Sequence, residues 1–324
     1  MVDKLAAVRV AQDWRLRSRV LALGARTLVM GVLNITPDSF SDGGAFLDAH
    51  AAVAHGLALL DEGADLLDLG AESTRPGSNA GPVGSAAGAI STDEALSAGE
   101  ALSPDEEQAR LLPVIDGILK QRPDAVLSVD TYKAGTARAA LKAGAEIVND
   151  VSGFLWDAEM AAVCADARCG VVLMHTRGAP AEWGTQAQLG PDELMATVRG
   201  GLQASLDRAQ AAGVARDAIV LDPGYGFGKR GEENFALLAR QAELLALGRP
   251  LLAGVSRKSF LGRALRSLYD GKPAPVDQRE MASVAAMVAA ILNGASVVRV
   301  HRVRPAVEAA LVVDRVVEQM IAIQ

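Results

Sequence analysis

Eight short runs rich in Val, Leu and Ile recur along this chain, and nearly every one stops at a polar or charged residue. They occupy residues 28–34, 65–71, 125–130, 146–150, 170–175, 218–222, 250–256 and 296–301. Between them lie longer segments rich in Ala, Leu, Glu and Arg with a helical pattern, at 48–62, 104–121, 133–142, 193–212, 234–247 and 280–293; a last helix starts at Pro305. Strands that alternate with helices give βα units and a parallel sheet. Gly63-Ala64, Gly144-Ala145 and Gly294-Ala295 repeat one junction, in which a helical pattern meets Gly and then an apolar run, as a left-handed helix cap requires. Eight such strands close an α/β barrel of the (β/α)8 or TIM type, a single domain whose site lies at the C-terminal ends of the strands. The alternative is an open doubly wound sheet. It would place a Gly-rich phosphate loop after the first strand, and here that loop reads ITPDSFSD from Ile35, without GxGxxG.

Composition agrees with the barrel. Hydrophobic residues make up 50% of the 324 but aromatics only 4%, so the core is built from aliphatic side chains, which suits buried parallel strands. A net charge of −7 argues against a nucleic-acid-binding surface, yet leaves room for an anionic small substrate where cations gather locally. The two cysteines, Cys164 and Cys169, have no Cys-His cluster around them, so neither a disulfide framework nor structural zinc is expected. The N-terminal residues carry no apolar run of signal-peptide length, and the apolar stretch 281–300 is broken by Asn293, Gly294 and Arg299. The expectation is a soluble, cytoplasmic protein with residues 1–26 as an N-terminal extension, 27–324 as the barrel, and a Gly/Ala/Ser-rich loop insertion at about 78–103.

The polar residues fall at the strand ends. The first run ends in Asn34, the second leads into ESTRPG from Glu72, the third ends in Asp130 and the fourth in Asn149 and Asp150. The fifth ends in His175, the sixth in Asp222 before PGYGFGK, the seventh in Ser256, Arg257, Lys258 and Ser259, and the eighth carries Arg299 and His301. In a parallel barrel all these ends share one face. Asp, Asn and Ser at such places are also ordinary helix caps. Lys258, Arg299 and His301 are poor caps, so the whole set reads as a site. Asp130, Asn149 and Asp222 suit a flat heterocycle bearing ring N–H and amino groups. Arg257, Lys258, Arg299 and His301 lie where barrels bind phosphate, and Arg75 offers a second clamp; a solvated charged face is the competing reading. Asn34 and Asp38 present hard oxygens suited to Mg²⁺.

The motifs MGVLNITPDSFSDGG from Met30, ESTRPG from Glu72, SVDT from Ser128, IVND from Ile147, LDPGYGFGK from Leu221, GVSRKSF from Gly254 and RVH from Arg299 resemble the dihydropteroate synthase family, in order and over about residues 27–301. The resemblance implies a pterin-binding barrel enzyme of folate biosynthesis. Such an enzyme joins (7,8-dihydropterin-6-yl)methyl diphosphate to 4-aminobenzoate and releases diphosphate. It implies Asn34 as the Mg²⁺ ligand, Asp130, Asn149, Asp222 and Lys258 around the pterin, and Thr74, Arg299 and His301 on the diphosphate. The loops of Asp38 and Arg75 would close over the reacting centre, and Phe40, Pro76, Phe227 and Ser256 would line the aminobenzoate pocket. Catalytic weight falls on Asp38, Arg75, Lys258, Arg299 and His301. A homodimer and sulfonamide inhibition are further expectations of the resemblance, while the net charge and the interrupted apolar stretch give the expectation of no nucleic-acid or membrane partner.

Three positions depart from the family pattern: the insertion after Gly77, Tyr225 where Phe is common, and Arg302 where Asp is common. Two rivals share part of the pattern. A methyltransferase acting on a methylated folate needs the pterin carboxylates but not the diphosphate cations, and a non-catalytic pterin binder needs neither Asn34, Arg75, Lys258 nor Arg299.

Overall fold

The computed structural model describes residues 11–35, 45–71 and 102–322. Strands β1 (Gln12–Arg15) and β2 (Val20–Leu23) form an antiparallel hairpin. Strands β3 (Leu28–Asn34), β4 (Leu66–Gly70), β5 (Leu127–Asp130), β6 (Ile147–Asp150), β7 (Gly170–Met174), β8 (Ile219–Asp222), β9 (Leu251–Ala253) and β10 (Ala295–Val300) close a parallel barrel in which β10 pairs with β3. Closure rules out the open doubly wound sheet. Each strand expected from the sequence is present, trimmed by a residue or more at most ends.

Around the barrel run α1 (Ala45–Asp61), α2 (Pro104–Gln121), α3 (Ala134–Ala143), α4 (Met160–Ala167), α5 (Pro191–Ala211), α6 (Glu233–Arg240), α7 (Ser259–Ala264), α8 (Glu280–Leu292) and α9 (Val303–Ala322). Helix α2 starts where its chemistry dictates: Ser103 and Glu106 form a capping box and Pro104 takes the first turn. Gly63, Gly144 and Gly294 have φ of 104°, 116° and 93°, so the repeated junction is the left-handed turn that its glycines anticipate. The helix expected over 234–247 is divided. It is α-helical to Arg240 and then a 3₁₀ segment, Gln241–Leu247. The buried Gln241 amide donates to the carbonyls of Ala290 and Asn293 at the end of α8 and accepts from the Tyr225 hydroxyl, so tertiary bonds tighten the turn.

The inner face of the barrel changes character along its axis. Side chains alternate inward and outward along a strand. Leu28, Met30, Leu66, Val126, Ile147, Val172, Val220, Leu252 and Val297 pack into one apolar cluster at the N-terminal end of the barrel. Trp14, Leu16 and Leu23 of the hairpin belong to the same cluster and close that mouth from below. Gly170, at the first position of β7, is needed here: a Cβ on it would lie 2.5 Å from Leu16 and 3.2 Å from the Trp14 indole nitrogen. Two residues further along, the inward positions of β4, β5, β6, β8 and β10 become Asp68, Ser128, Asn149, Asp222 and Arg299, and Asp130 follows two residues beyond Ser128. The outer faces join the helices in a separate, larger aliphatic core. Both cysteines are buried in that core as free thiols.

Candidate active site

The polar end of the barrel is organised by Arg299. Its Nε donates to Oδ2 of Asp68 at 2.5 Å and its Nη2 to Oδ2 of Asp130 at 2.7 Å. Asp68 Oδ2 also accepts from Asn149 Nδ2 at 2.9 Å. Asp130 and Asn149 are register partners on β5 and β6. Three residues expected at the site from the sequence are therefore brought together, with Asp68 as the link between them. Burial pushes the Asp130 carboxyl up to about 7, against the pull of Arg299 and Lys258. Burial also raises Asp222, opposed by the bond from the Gly224 amide and by Lys258. In this pocket a carboxylate is best satisfied by N–H donors or by positive charge on a ligand.

Asp222 opens the loop that carries Phe227. Its Oδ1 accepts from Gly224 N at 2.7 Å, and Lys229 Nζ donates to the carbonyls of His175 and Gly224, both at 2.8 Å. Gly224 has φ of 71°, and a Cβ there would lie 2.0 Å from the His175 carbonyl oxygen; one at Gly228 would lie 2.6 Å from Arg177 Cβ. The glycines of DPGYGFGK thus let the loop press against the end of β7. Phe227 is held edge-to-face by Trp183, with ring centroids 5.0 Å apart, and Lys258 Nζ sits 3.9 Å from the Phe227 centroid. Lys258 is near enough to act electrostatically on both Asp130 and Asp222. On the neighbouring strand end, His301 Nδ1 lies 3.0 Å from the buried Ser256 hydroxyl.

Other strand-end residues have local jobs. Asp150 accepts from the backbone of Ser152 and Phe154, which makes it a turn anchor. Buried His175 faces α5, where a Cβ on Gly201 would meet its ring at 2.4 Å, and burial drives its pKa well down. The Arg257 Nε lies 3.9 Å from Glu280 of α8, and its backbone bonds Ser283 and Arg279. The Tyr225 hydroxyl points away from the barrel interior and donates to Gln241.

The barrel interior holds one residue that sequence reading passed over, Asp68. Its signal was a lone acid between apolar neighbours in LLDLG, inside a strand buried on both faces. Glu107 of α2 was missed too. Fully buried, it accepts from Thr131 and Thr136 and pairs with Lys133 at 3.5 Å, which ties α2 to the loop that follows Asp130. Asp38, Phe40, Thr74, Arg75, Pro76 and most of the 78–103 insertion lie outside the described residues.

Asn34 is exposed at the tip of a strand that is otherwise buried. No cluster of three or more His, Cys, Asp or Glu suited to a metal occurs among the described residues. Asn34 would give a cation one amide oxygen; an ion such as Mg²⁺ keeps several waters and binds substrate phosphate, so the rest of its shell need not come from the protein.

Residues 30–88 and 83–301 match the family described as pterin binding enzyme. A dihydropteroate synthase of Mycobacterium leprae is 46% identical over 88% of this chain and 92% of its own length. The chain belongs to the dihydropteroate synthase family. Solved structures agree. Dihydropteroate synthase of Xanthomonas albilineans with 4-aminobenzoic acid superposes with a TM-score of 0.78 at 39% identity, covering 95% of this chain and 98% of that one. The same enzyme in complex with 7,8-dihydropteroate gives 0.75 at 37% identity, covering 94% and 98%. No helix among the described residues is long and apolar enough to cross a membrane.

Proposed function

We propose that this protein condenses (7,8-dihydropterin-6-yl)methyl diphosphate with 4-aminobenzoate to give 7,8-dihydropteroate and diphosphate. The observation that carries the reading is the joining of Asp130, Asn149 and Arg299 through Asp68 and part-buried bonds at one barrel mouth, with Asp222 and Lys258 close by. In the reaction the CH₂–O bond breaks and its electron pair leaves with diphosphate. The arylamine nitrogen forms the new C–N bond and then loses a proton. Positive charge develops on the pterin as the bond breaks, and the carboxylates of Asp130 and Asp222 stabilise it. Asn149 and Lys258 orient the ring. His301 and Thr74 hold the diphosphate, and Arg299 lends positive charge beneath it. Phe40, Pro76, Phe227 and Ser256 shape the aminobenzoate pocket, while Asp38 and Arg75 come from loops that close over the centre. The nucleophile is a neutral arylamine, so no Ser or Cys nucleophile is required. Mg²⁺ anchored by Asn34 supplies charge neutralisation for the leaving group when bound.

Diphosphate release measured with and without 4-aminobenzoate tests this reading. Strict dependence on the arylamine is expected, and sulfonamides, which mimic it in shape and charge, should inhibit competitively. Release at an equal rate without 4-aminobenzoate would sink the synthase reading. Saturable binding of a methylated folate with no diphosphate turnover would favour the methyltransferase rival.

The functional unit is a homodimer in the cytoplasm. Leu311, Val312 and Val316 of α9 are exposed, as is Met281 of the adjoining α8, and large exposed apolar side chains on α9 favour a partner surface. Light scattering should return twice the chain mass, and Leu311→Glu with Val312→Glu should return the single mass. A monomer at tens of micromolar would refute the assignment.

A further inference from the structure

We infer that Asp68 is a positioning residue that fixes how Asn149 meets the pterin and how Arg299 meets the diphosphate; the inference rests on the synthase reading above. Asp68 is fully buried, at an inward position of β4 between Leu66 and Gly70. A carboxylate inside a barrel is costly to desolvate, and stability alone favours an apolar side chain such as that of Leu66. Oδ1 of Asp68 is moreover buried without a hydrogen bond. Its other oxygen, Oδ2, takes both bonds, from Arg299 Nε and Asn149 Nδ2.

This double acceptance has two chemical consequences. An Asn amide left alone can turn either end toward a ligand. With Nδ2 committed to a carboxylate that only accepts, Asn149 is left to offer its carbonyl oxygen, an acceptor, to a ring N–H or amino group. The Arg299 fork is locked as well. Nε goes to Asp68 and Nη2 to Asp130, so the plane of the guanidinium is set by β4 and β5 together. Asp68 touches neither substrate in this arrangement and acts through the two residues that do.

Asp68→Asn preserves size while removing the charge and the obligatory acceptor. Its affinity for the pterin diphosphate should fall about 10- to 100-fold, the range for losing a hydrogen bond to a charged group, while the KM for 4-aminobenzoate stays near the wild-type value. In an Arg299→Lys/Asn149→Ala background the same change should cost no more than about twofold, because the residues it orients are already altered. Circular dichroism and the melting temperature should stay at wild-type values or rise. If Asp68→Asn does not fold, Asp68→Ser carries the same comparison. Equal losses in both backgrounds, equal losses for both substrates, or a loss that follows the melting temperature would each overturn the positioning role. Wild-type protein that binds no pterin diphosphate would bring down the synthase reading itself, and this inference with it.

Discussion

Arg299→Ala is expected to lower kcat/KM by about 10³-fold and to destabilise the protein by about 3 kcal/mol at neutral pH. Both effects come from the same two bonds. The guanidinium is the cation bonded to Asp68, which is fully buried, and to Asp130, whose side chain is 13% exposed. Its removal leaves two carboxylates with little water and no bonded counter-charge. The stability figure takes the low end for breaking a buried pair because the Arg299 side chain is itself 21% exposed. The pH dependence has a definite sign. Burial already holds the folded Asp130 carboxyl above its ordinary value, and loss of the opposing arginine raises it further. A carboxyl whose folded pKa lies above its unfolded value destabilises the fold as pH rises through that window, and the penalty disappears on acidification. Urea titrations at pH 5.5 and 7.5 should therefore show the gap between variant and wild type narrowing at the lower pH. A gap of constant size would mean that the carboxylates are not the source. Arg299→Lys separates the two effects. The charge is kept and much of the stability should return, but the planar fork that spans β4 and β5 is lost, so activity should stay low.

That pair of bonds also marks where sequence reading stops. Asp130, Asn149 and Arg299 stand at or near strand ends, where a polar residue interrupts an apolar run, and alternation plus barrel topology is enough to bring them to one face. Asp68 stands two residues before the end of its strand, among leucines, and only the closed barrel shows that its inward neighbours are Asn149 and Arg299. The glycines of DPGYGFGK were legible as a tight loop, whereas the need for them, a backbone approach to the end of β7, is a tertiary fact. Short helices such as α4 and α7 fall below the length at which periodicity speaks clearly. The division after Arg240 was invisible because local sequence favours helix there and the Gln241 bonds that override it reach 49 residues away. Tyr225 illustrates the same limit, since the motif places the residue but the direction of its hydroxyl depends on that same glutamine.

The hairpin was the least legible part of the fold, and Trp14→Ala should show how much rests on it. Neither QDWR nor VLAL has the length or β-branched content of a strand expected to be buried, and four arginines between residues 15 and 26 suggest a solvated segment. Those cations instead reach the underside of the barrel. Arg17 donates to the Leu141 carbonyl, Arg19 to that of Asp124, and Ser18 to Glu146, so the hairpin is fastened at its rim while Trp14 fills the centre. Trp14 is fully buried among Leu16, Leu23 and the inward residues of the barrel floor, and its indole donates to the Ala218 carbonyl at 2.9 Å. Truncation to alanine should cost about 3–5 kcal/mol through the cavity and lost contacts. Val20→Ala, at a position 55% exposed on the same hairpin, should stay within about 0.5 kcal/mol of wild type. The site lies at the opposite end of the strands, so kcat per folded molecule should not change in either variant. A kcat that fell in step with stability would mean that the floor of the barrel also sets the geometry of Asp68 and Arg299. An unchanged kcat would instead assign the two ends separate tasks, an apolar floor that holds the strands closed and a polar mouth that can carry buried charge because the floor is sealed.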